Sequence, residues 1–376
     1  VKRRFLRSSK KTKRKLLNLK MSPKISGIDL FCGAGGVTHG FRMAGVHMVL
    51  GVDSDPSLKS TYENNNKTPF LCADIQKLKA EEIIKLSKIK KSDKIVLSSC
   101  APCQPFSLQN NKSDKEHDIR KDLGFETVRI IAELENTGYS LASVFIENVP
   151  GFEQTDIWKD IENSLLRLGF SLRAAVVNFA NYGIPQNRKR FICVAHKGYS
   201  FFRFPPETHG VGRLPLKTVR QAFEGLSKIG AGQECEKTPN HKTRALSPLN
   251  LARIAHVPKN GGSRTSFPEE LVLECHKDFK GHKDVYGRMK NDMPSPTVTT
   301  RCISITNGRF GHPTQNRGIS LREAARLQTF PDKFIFHGDN LQTNSKMIGN
   351  AVPVEIARIF GQNIKKHILS EPAIKK

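Results

Sequence analysis

The segment Ser99-Cys100-Ala101-Pro102-Cys103-Gln104-Pro105-Phe106-Ser107 carries two thiols on a shaped loop. The apolar run before it, Ile95-Val96-Leu97, reads as a buried strand, and two prolines prevent a regular ladder beyond it. A cysteine held at the end of a strand is well placed to act as a nucleophile. The same letters spell Cys-x-x-Cys, which also fits a redox pair or half of a zinc site. Spacing within the loop leaves all three chemistries open.

Other groups add detail. Asp29-Leu30-Phe31-Cys32-Gly33-Ala34-Gly35-Gly36 follows a first apolar run, and its glycines permit a tight turn or the close approach of a ligand. It is neither the full dinucleotide fingerprint nor a phosphate loop with its lysine. Asp53 ends the next apolar run, where a carboxylate can accept from ribose hydroxyls. Asp74 ends the third, where it could accept from an adenine amine. Three consecutive strands ending in such groups form an adenosine-shaped site. No pyrophosphate is required, so S-adenosylmethionine fits better than a nicotinamide dinucleotide. Glu147-Asn148-Val149 ends a later strand and offers an acid or an anchor for a heterocycle. In Gln186-Asn187-Arg188-Lys189-Arg190, two guanidinium groups two residues apart share one face if extended.

The elements that must position these groups alternate. Strands are expected at 25–31, 47–52, 70–73, 95–97, 143–146, 171–178 and 190–195, and helices at 56–64, 80–88, 121–135 and 158–168. This alternation predicts an α/β, doubly wound sheet with functional groups at strand C-terminal ends. Four intervals are expected: a basic tail over 1–20, a catalytic and cofactor-binding domain over 21–196, a loop-rich module over 197–318, and a helical C-terminal segment over 319–376 that returns to the first domain. The third interval holds 20 Lys or Arg against 10 Asp or Glu.

The chain has 376 residues and a formal net charge of +26, which predicts attraction to a polyanion and salt-sensitive binding. Ten Lys or Arg and no acid lie in residues 1–20, which read as a tail that could lie on phosphates. No run approaches the roughly 20 apolar residues that span a bilayer, so no membrane partner is expected. Eight cysteines in so long a chain fit scattered thiols in a reducing cytoplasm. No metal is expected, since Cys275, His276 and His282 fit no common zinc spacing.

These motifs, in this order, resemble those of the DNA (cytosine-5) methyltransferases of bacterial restriction–modification systems. The resemblance rests on the glycine loop, Pro102-Cys103-Gln104, Glu147-Asn148-Val149 and Gln186-x-Arg188-x-Arg190. It continues in Arg322-Glu323-Ala324-Ala325-Arg326-Leu327-Gln328-x-Phe330-Pro331 and Ile348-Gly349-Asn350-Ala351-Val352-Pro353. It implies a methyltransferase sheet with a smaller DNA-recognition domain, S-adenosylmethionine as cofactor and duplex DNA as substrate. It implies catalytic roles for Cys103, Glu147, Arg188 and Arg190, with Arg190 on the flipped base and Arg188 on the nearby backbone. Phe31, Gly33, Gly35, Asp53, Asp74, Pro102 and Asn350 would line the cofactor. Gln104, Ser107, Arg288, Thr297 and Arg301 would contact DNA. A monomer paired in function with a cognate endonuclease is expected. The polar stretch 108–120 would be a lid over the flipped base. Two departures stand out: Ser99-Cys100-Ala101 replaces the usual glycines or prolines before Pro-Cys, and Asp53 replaces the frequent Glu. Transfer RNA as substrate, or sequence-specific binding without turnover, are the alternatives.

Overall fold

A computed structural model describes residues 24–102, 123–198, 200–277 and 284–371. Residues 1–20, Cys103, Gln104, Ser107, the 108–120 stretch and His282 lie outside the described residues.

Seven strands make one sheet: β1 (Ile25–Leu30), β2 (His47–Asp53), β3 (Phe70–Cys72), β4 (Lys94–Ser99), β5 (Leu141–Asn148), β6 (Ser171–Asn178) and β7 (Lys189–His196). Their order is β3-β2-β1-β4-β5-β7-β6. The first five run parallel, whereas β7 is antiparallel to both β5 and β6. The central strands are continuous apolar runs because both faces are covered. Period-two alternation sorts them. Ile95, Leu97, Val144 and Ile146 face one core together with Ile130, Leu134 and Trp158. Val96, Phe145, Ile192 and Val194 face the opposite core with Phe41 and Phe360.

The first face is covered by α3 (Ala80–Ser87), α4 (Leu123–Asn136) and α5 (Asp156–Arg167). The second is covered by α1 (Gly36–Met43) and by the C-terminal helix, α10 (Val354–Ser370). α1 and α10 touch closely. A Cβ at Gly40 would sit 2.4 Å from the Val354 carbonyl oxygen and 2.5 Å from Ala357 Cβ. A further helix, α2 (Lys59–Asn66), extends a short 3-10 turn at Pro56–Leu58.

Between β7 and α10 the described residues form no strand, and isolated bridges, 3-10 turns and short helices take its place, among them α6 (Val219–Phe223), α7 (Pro248–His256), α8 (Leu321–Leu327) and α9 (Leu341–Asn350). α9 is not expected from sequence. A third core joins Ala34, Tyr62 and Phe70 to Met289, Val298, Ile319, Leu327 and Ile348. A small cluster around Ile254, Val257, Tyr286 and Ile305 stands apart. None of the helices in the described residues is long and apolar enough to cross a membrane.

Candidate active site

The strand order reverses direction between β1 and β4, and in open α/β sheets ligands sit outside the strand C-terminal ends at that switch. The glycine loop leaves β1 there and Cys100–Pro102 leave β4, so both segments emerge at that edge. β7 runs the other way, which brings its first residues to the same edge. Glu147 on β5 is registered with Ile192, and Arg190 lies two residues from Ile192 on the same face. Arg190 Nε accordingly lies 3.2 Å from Glu147 Oε1, and both side chains are largely buried. Burial pulls the Arg190 guanidinium down from its ordinary value, and the Glu147 carboxylate opposes that shift. Asn148 Nδ2 donates to the Ala101 carbonyl at 3.4 Å, which ties the acid's strand to the entry of the cysteine loop.

The glycine loop is held in an uncommon backbone shape. Phe31, Gly33 and Gly35 have φ of 55°, 54° and 88°, and a bulky residue such as Phe31 seldom adopts that region. Strain of this kind persists only where surrounding bonds fix it. Gly33 N donates to Asp53 Oδ2 at 2.9 Å, Asp55 N donates to Asp53 Oδ1 at 3.1 Å, and Cys32 N donates to the Val52 carbonyl at 3.0 Å. Asp29 accepts from Ser98 and Thr38 hydroxyls, each at 2.6 Å, and Thr38 also meets the Tyr62 hydroxyl at 2.8 Å. Burial pushes the Asp29 carboxyl up to about 6, against those hydrogen bonds. Burial also raises the Asp53 carboxyl. A Cβ at Gly33 would meet nothing within 4 Å, so the loop opens onto free space beside a strand-end carboxylate. That is a cradle a nucleoside can enter, and the residues fit an adenosyl cofactor.

Other expected cofactor residues surround the cradle unevenly. Asp74 is exposed, and one of its oxygens accepts from Gln76 N at 3.1 Å. Pro102 is exposed at the start of the cysteine loop. Asn350 is exposed at the end of α9. The chain just after it reaches α1, since a Cβ at Gly36 would lie 2.4 Å from the Val352 carbonyl oxygen.

Two arginines differ from expectation. Arg188 is buried, and its guanidinium donates to the Val298 carbonyl at 3.0 Å and the Gly349 carbonyl at 3.4 Å. Burial lowers its pKa to about 9. It ties three chain segments together, turned inward where contact with the DNA backbone was expected. Arg288 has no exposed surface. Its guanidinium donates to the carbonyls of Val257, Ile254, His312 and Gln315 and to Asn316 Oδ1. A loop-rich module lacks ladders to satisfy its carbonyls, and this side chain does so from within. Arg288, expected to contact DNA, is thus turned to the protein's own carbonyls. Thr297 is half-buried and donates to the Asn187 carbonyl at 2.8 Å, while Arg301 is exposed and its guanidinium donates to Asn307 Oδ1 at 3.3 Å.

Sequence reasoning missed the bonds that lock the site. Gln186 is buried. It accepts from Val298 N at 2.8 Å and donates to Gln328 Oε1 at 2.9 Å. Gln328 in turn donates to the carbonyls of Ile348 and Ala351. Glu323 forms a bidentate pair with buried Arg317, both bonds 2.7 Å, and caps α8 through Ser320. Arg322 donates to the carbonyls of Pro239, Pro331 and Phe334. The capping box Ser320-x-x-Glu323 was a visible signal; the buried glutamines leave none. Cys100 packs against the core, and burial, with Glu147 and Asp29 nearby, holds its thiol far above the ordinary value.

The family described as C-5 cytosine-specific DNA methylase matches residues 25–366. The type II methylase M.HgiDII of Herpetosiphon aurantiacus is 39% identical over 91% of this chain and 95% of its own. The type II methyltransferase M1.HphI of Haemophilus parahaemolyticus is 30% identical over 90% of this chain and 86% of its own. Among solved structures, the S. pombe Dnmt2 methyltransferase superposes with a TM-score of 0.62, covering 91% of this chain and 98% of that one at 15% identity.

Proposed function

The chain belongs to the C-5 cytosine-specific DNA methylase family, a DNA methyltransferase of type II restriction–modification type, and from that premise we propose a covalent route through Cys103 on a flipped-out cytosine. Cytosine C5 is a poor nucleophile toward a methyl sulfonium. Attack of the Cys103 thiolate on C6 forms a carbon–sulfur bond and moves the C5–C6 π pair toward C5. Glu147, steadied by Arg190, hydrogen-bonds N3 and so favours the addition. S-adenosylmethionine, when bound, supplies an electrophilic methyl group for C5. Loss of the C5 proton then restores the double bond and expels the Cys103 thiolate. The target atoms lie within a duplex, so the base must leave the stack at a cost of a few kcal/mol.

Phe31, the Gly33–Gly35 loop, Asp53, Asp74, Pro102 and Asn350 hold the cofactor in this reading. Asp53 acts twice, shaping the loop through Gly33 N and offering a carboxylate to the ribose. Residues 197–318 read the DNA, with exposed Arg301 and half-buried Thr297 contributing contacts. Gln104 and Ser107 contact DNA on the cysteine loop. The protein works as a monomer and protects DNA from a cognate endonuclease.

The observation that carries the reading is the Glu147–Arg190 pair, set at the strand edge where the cysteine loop begins. DNA bearing 5-fluorocytosine at the target tests it, because fluorine cannot leave C5 as a cation and the adduct persists. The native chain should form a denaturant-stable complex with that DNA in the presence of cofactor. Cys103→Ser should form none and transfer no methyl group. Full methyl transfer by the serine variant would sink the covalent route. Bisulfite sequencing of DNA from expressing cells then gives the recognised sequence.

A further inference from the structure

Away from the strand-end edge, three metal-ligating side chains meet at the other end of β7. His196 closes β7, His367 lies in the last turn of α10, and Glu371 follows that helix. Arg190 and His196 are six residues apart on one strand, or roughly 20 Å. The cluster is therefore separate from the methyl-transfer site. Its ligand atoms all lie within 4.8 Å of one another. Glu371 Oε1 is 3.9 Å from His196 Nε2 and 3.7 Å from His367 Nε2. Tetrahedral zinc, with bonds of about 2.0–2.2 Å, sets its ligand atoms about 3.3–3.6 Å apart. A small contraction of the three side chains would close that shell.

Three observations point to a ligand. His196 is only 1% exposed, yet neither of its ring nitrogens has a hydrogen-bond partner, and buried His367 Nε2 has none either. Buried polar atoms are nearly always satisfied, so three orphans in one cluster call for an explanation. Gly198 keeps the space open, since a Cβ there would lie 2.6 Å from His196 Nε2 and 2.7 Å from the Glu371 carboxyl carbon. Ser200 N donates to Glu371 Oε1 at 3.0 Å and its hydroxyl bonds the same oxygen, which orients the carboxylate as outer-shell partners of metal ligands do.

We propose that His196, His367 and Glu371 bind one divalent cation of the zinc class, a staple joining the end of β7 to the C-terminal helix. Two imidazoles and one carboxylate suit zinc, cobalt or nickel and not magnesium or calcium. The fourth position is left for water. Sequence spacing cannot show such a site, because His196 and His367 are 171 residues apart. Through α10 the staple would steady α1 and the glycine loop. No catalytic step passes through it.

The full chain, stripped with a chelator and titrated with zinc chloride, tests the staple. One zinc should bind per chain, and the melting temperature should rise with zinc concentration. Cobalt in place of zinc should give the strong visible absorption of a tetrahedral site. His196→Gln, Glu371→Gln and Gly198→Ala should each weaken zinc binding more than tenfold and abolish the rise. Gly198→Ala keeps every ligand and fills only the space, and Glu371→Gln answers the question if the buried histidine variant fails to fold. Cys72→Ser with Cys275→Ser removes the exposed thiols among the described residues and should bind zinc as the native chain does. Equal zinc affinity in native and Glu371→Gln proteins, or no saturable binding, would overturn the proposal.

Discussion

Glu147 and Arg190 form the one acid–base pair at the strand edge that the described residues provide beside the cysteine loop. Glu147→Gln keeps the shape and removes the acid, so turnover should fall about 10²–10⁴-fold with DNA affinity little changed. Single-turnover methyl transfer alongside a DNA-binding assay separates the two. A variant losing affinity and turnover equally would make Glu147 a binding group. Arg288 sits at the other extreme. Arg288→Met removes a donor from four backbone carbonyls and Asn316 Oδ1; Ile254 and Gln315 keep backbone donors, but the Val257 and His312 carbonyls lose theirs, and an unsatisfied buried group costs about 1–3 kcal/mol. Denaturant unfolding should show a loss of several kcal/mol. The sequence methylated by the protein that remains folded should be unchanged. A relaxed target sequence with native stability would restore Arg288 to the reader.

Among the elements, the contact between α1 and α10 ties the glycine loop to the far end of the chain. Gly40→Ala drives a methyl group against the Val354 carbonyl and Ala357, and backbone cannot rotate away as a side chain can. Overpacking of this kind costs about 1–3 kcal/mol. Gly33→Ala meets open space, so its cost is confined to the left-handed backbone, about 1–2 kcal/mol. Thermal melts should rank Gly40→Ala below Gly33→Ala, while cofactor affinity should rank them in reverse. Equal melting temperatures would mean that the two helices part easily. Positions of strands and long helices were legible from apolar period, within one to three residues at most ends. α9 was not legible, because its buried face includes Asn344 and Ser345, which carry no hydrophobic signal.

Across the whole molecule, buried titrating groups oppose each other. Burial lowers the His312 pKa to about 4, although Glu323 pulls it up. The unfolded chain takes this proton near pH 6.5, so between about 6.5 and 4 it binds more protons than the folded one. Stability from this group therefore falls as acid is added through that window, by roughly 3 kcal/mol at most. Asp29 has the other sign. Its folded carboxyl protonates near 6, before its unfolded form, so acid favours the fold there. His312→Asn removes the first contribution alone. Its stability relative to the native chain should improve steadily from pH 7 to pH 4.5 in urea titrations. A difference constant with pH would remove His312 from the balance.

Much of the site was determined by sequence because its groups sit at strand ends, and strand ends follow from local apolar runs. The Asp29–Gly36 loop, Asp53, Asp74, Glu147 and Arg190 were all placed that way, and chain order supplied the family. Local pattern has no access to what is buried between distant segments. Only the tertiary structure decided that β7 runs antiparallel, which carries Arg190 to Glu147. It alone turned Arg188 and Arg288 inward, joined Gln186 to Gln328, and brought His196 to His367. An arginine's charge reads from sequence as exposure to an anion. Here the loops after β7 leave many carbonyls without ladder partners, and buried guanidinium groups satisfy them.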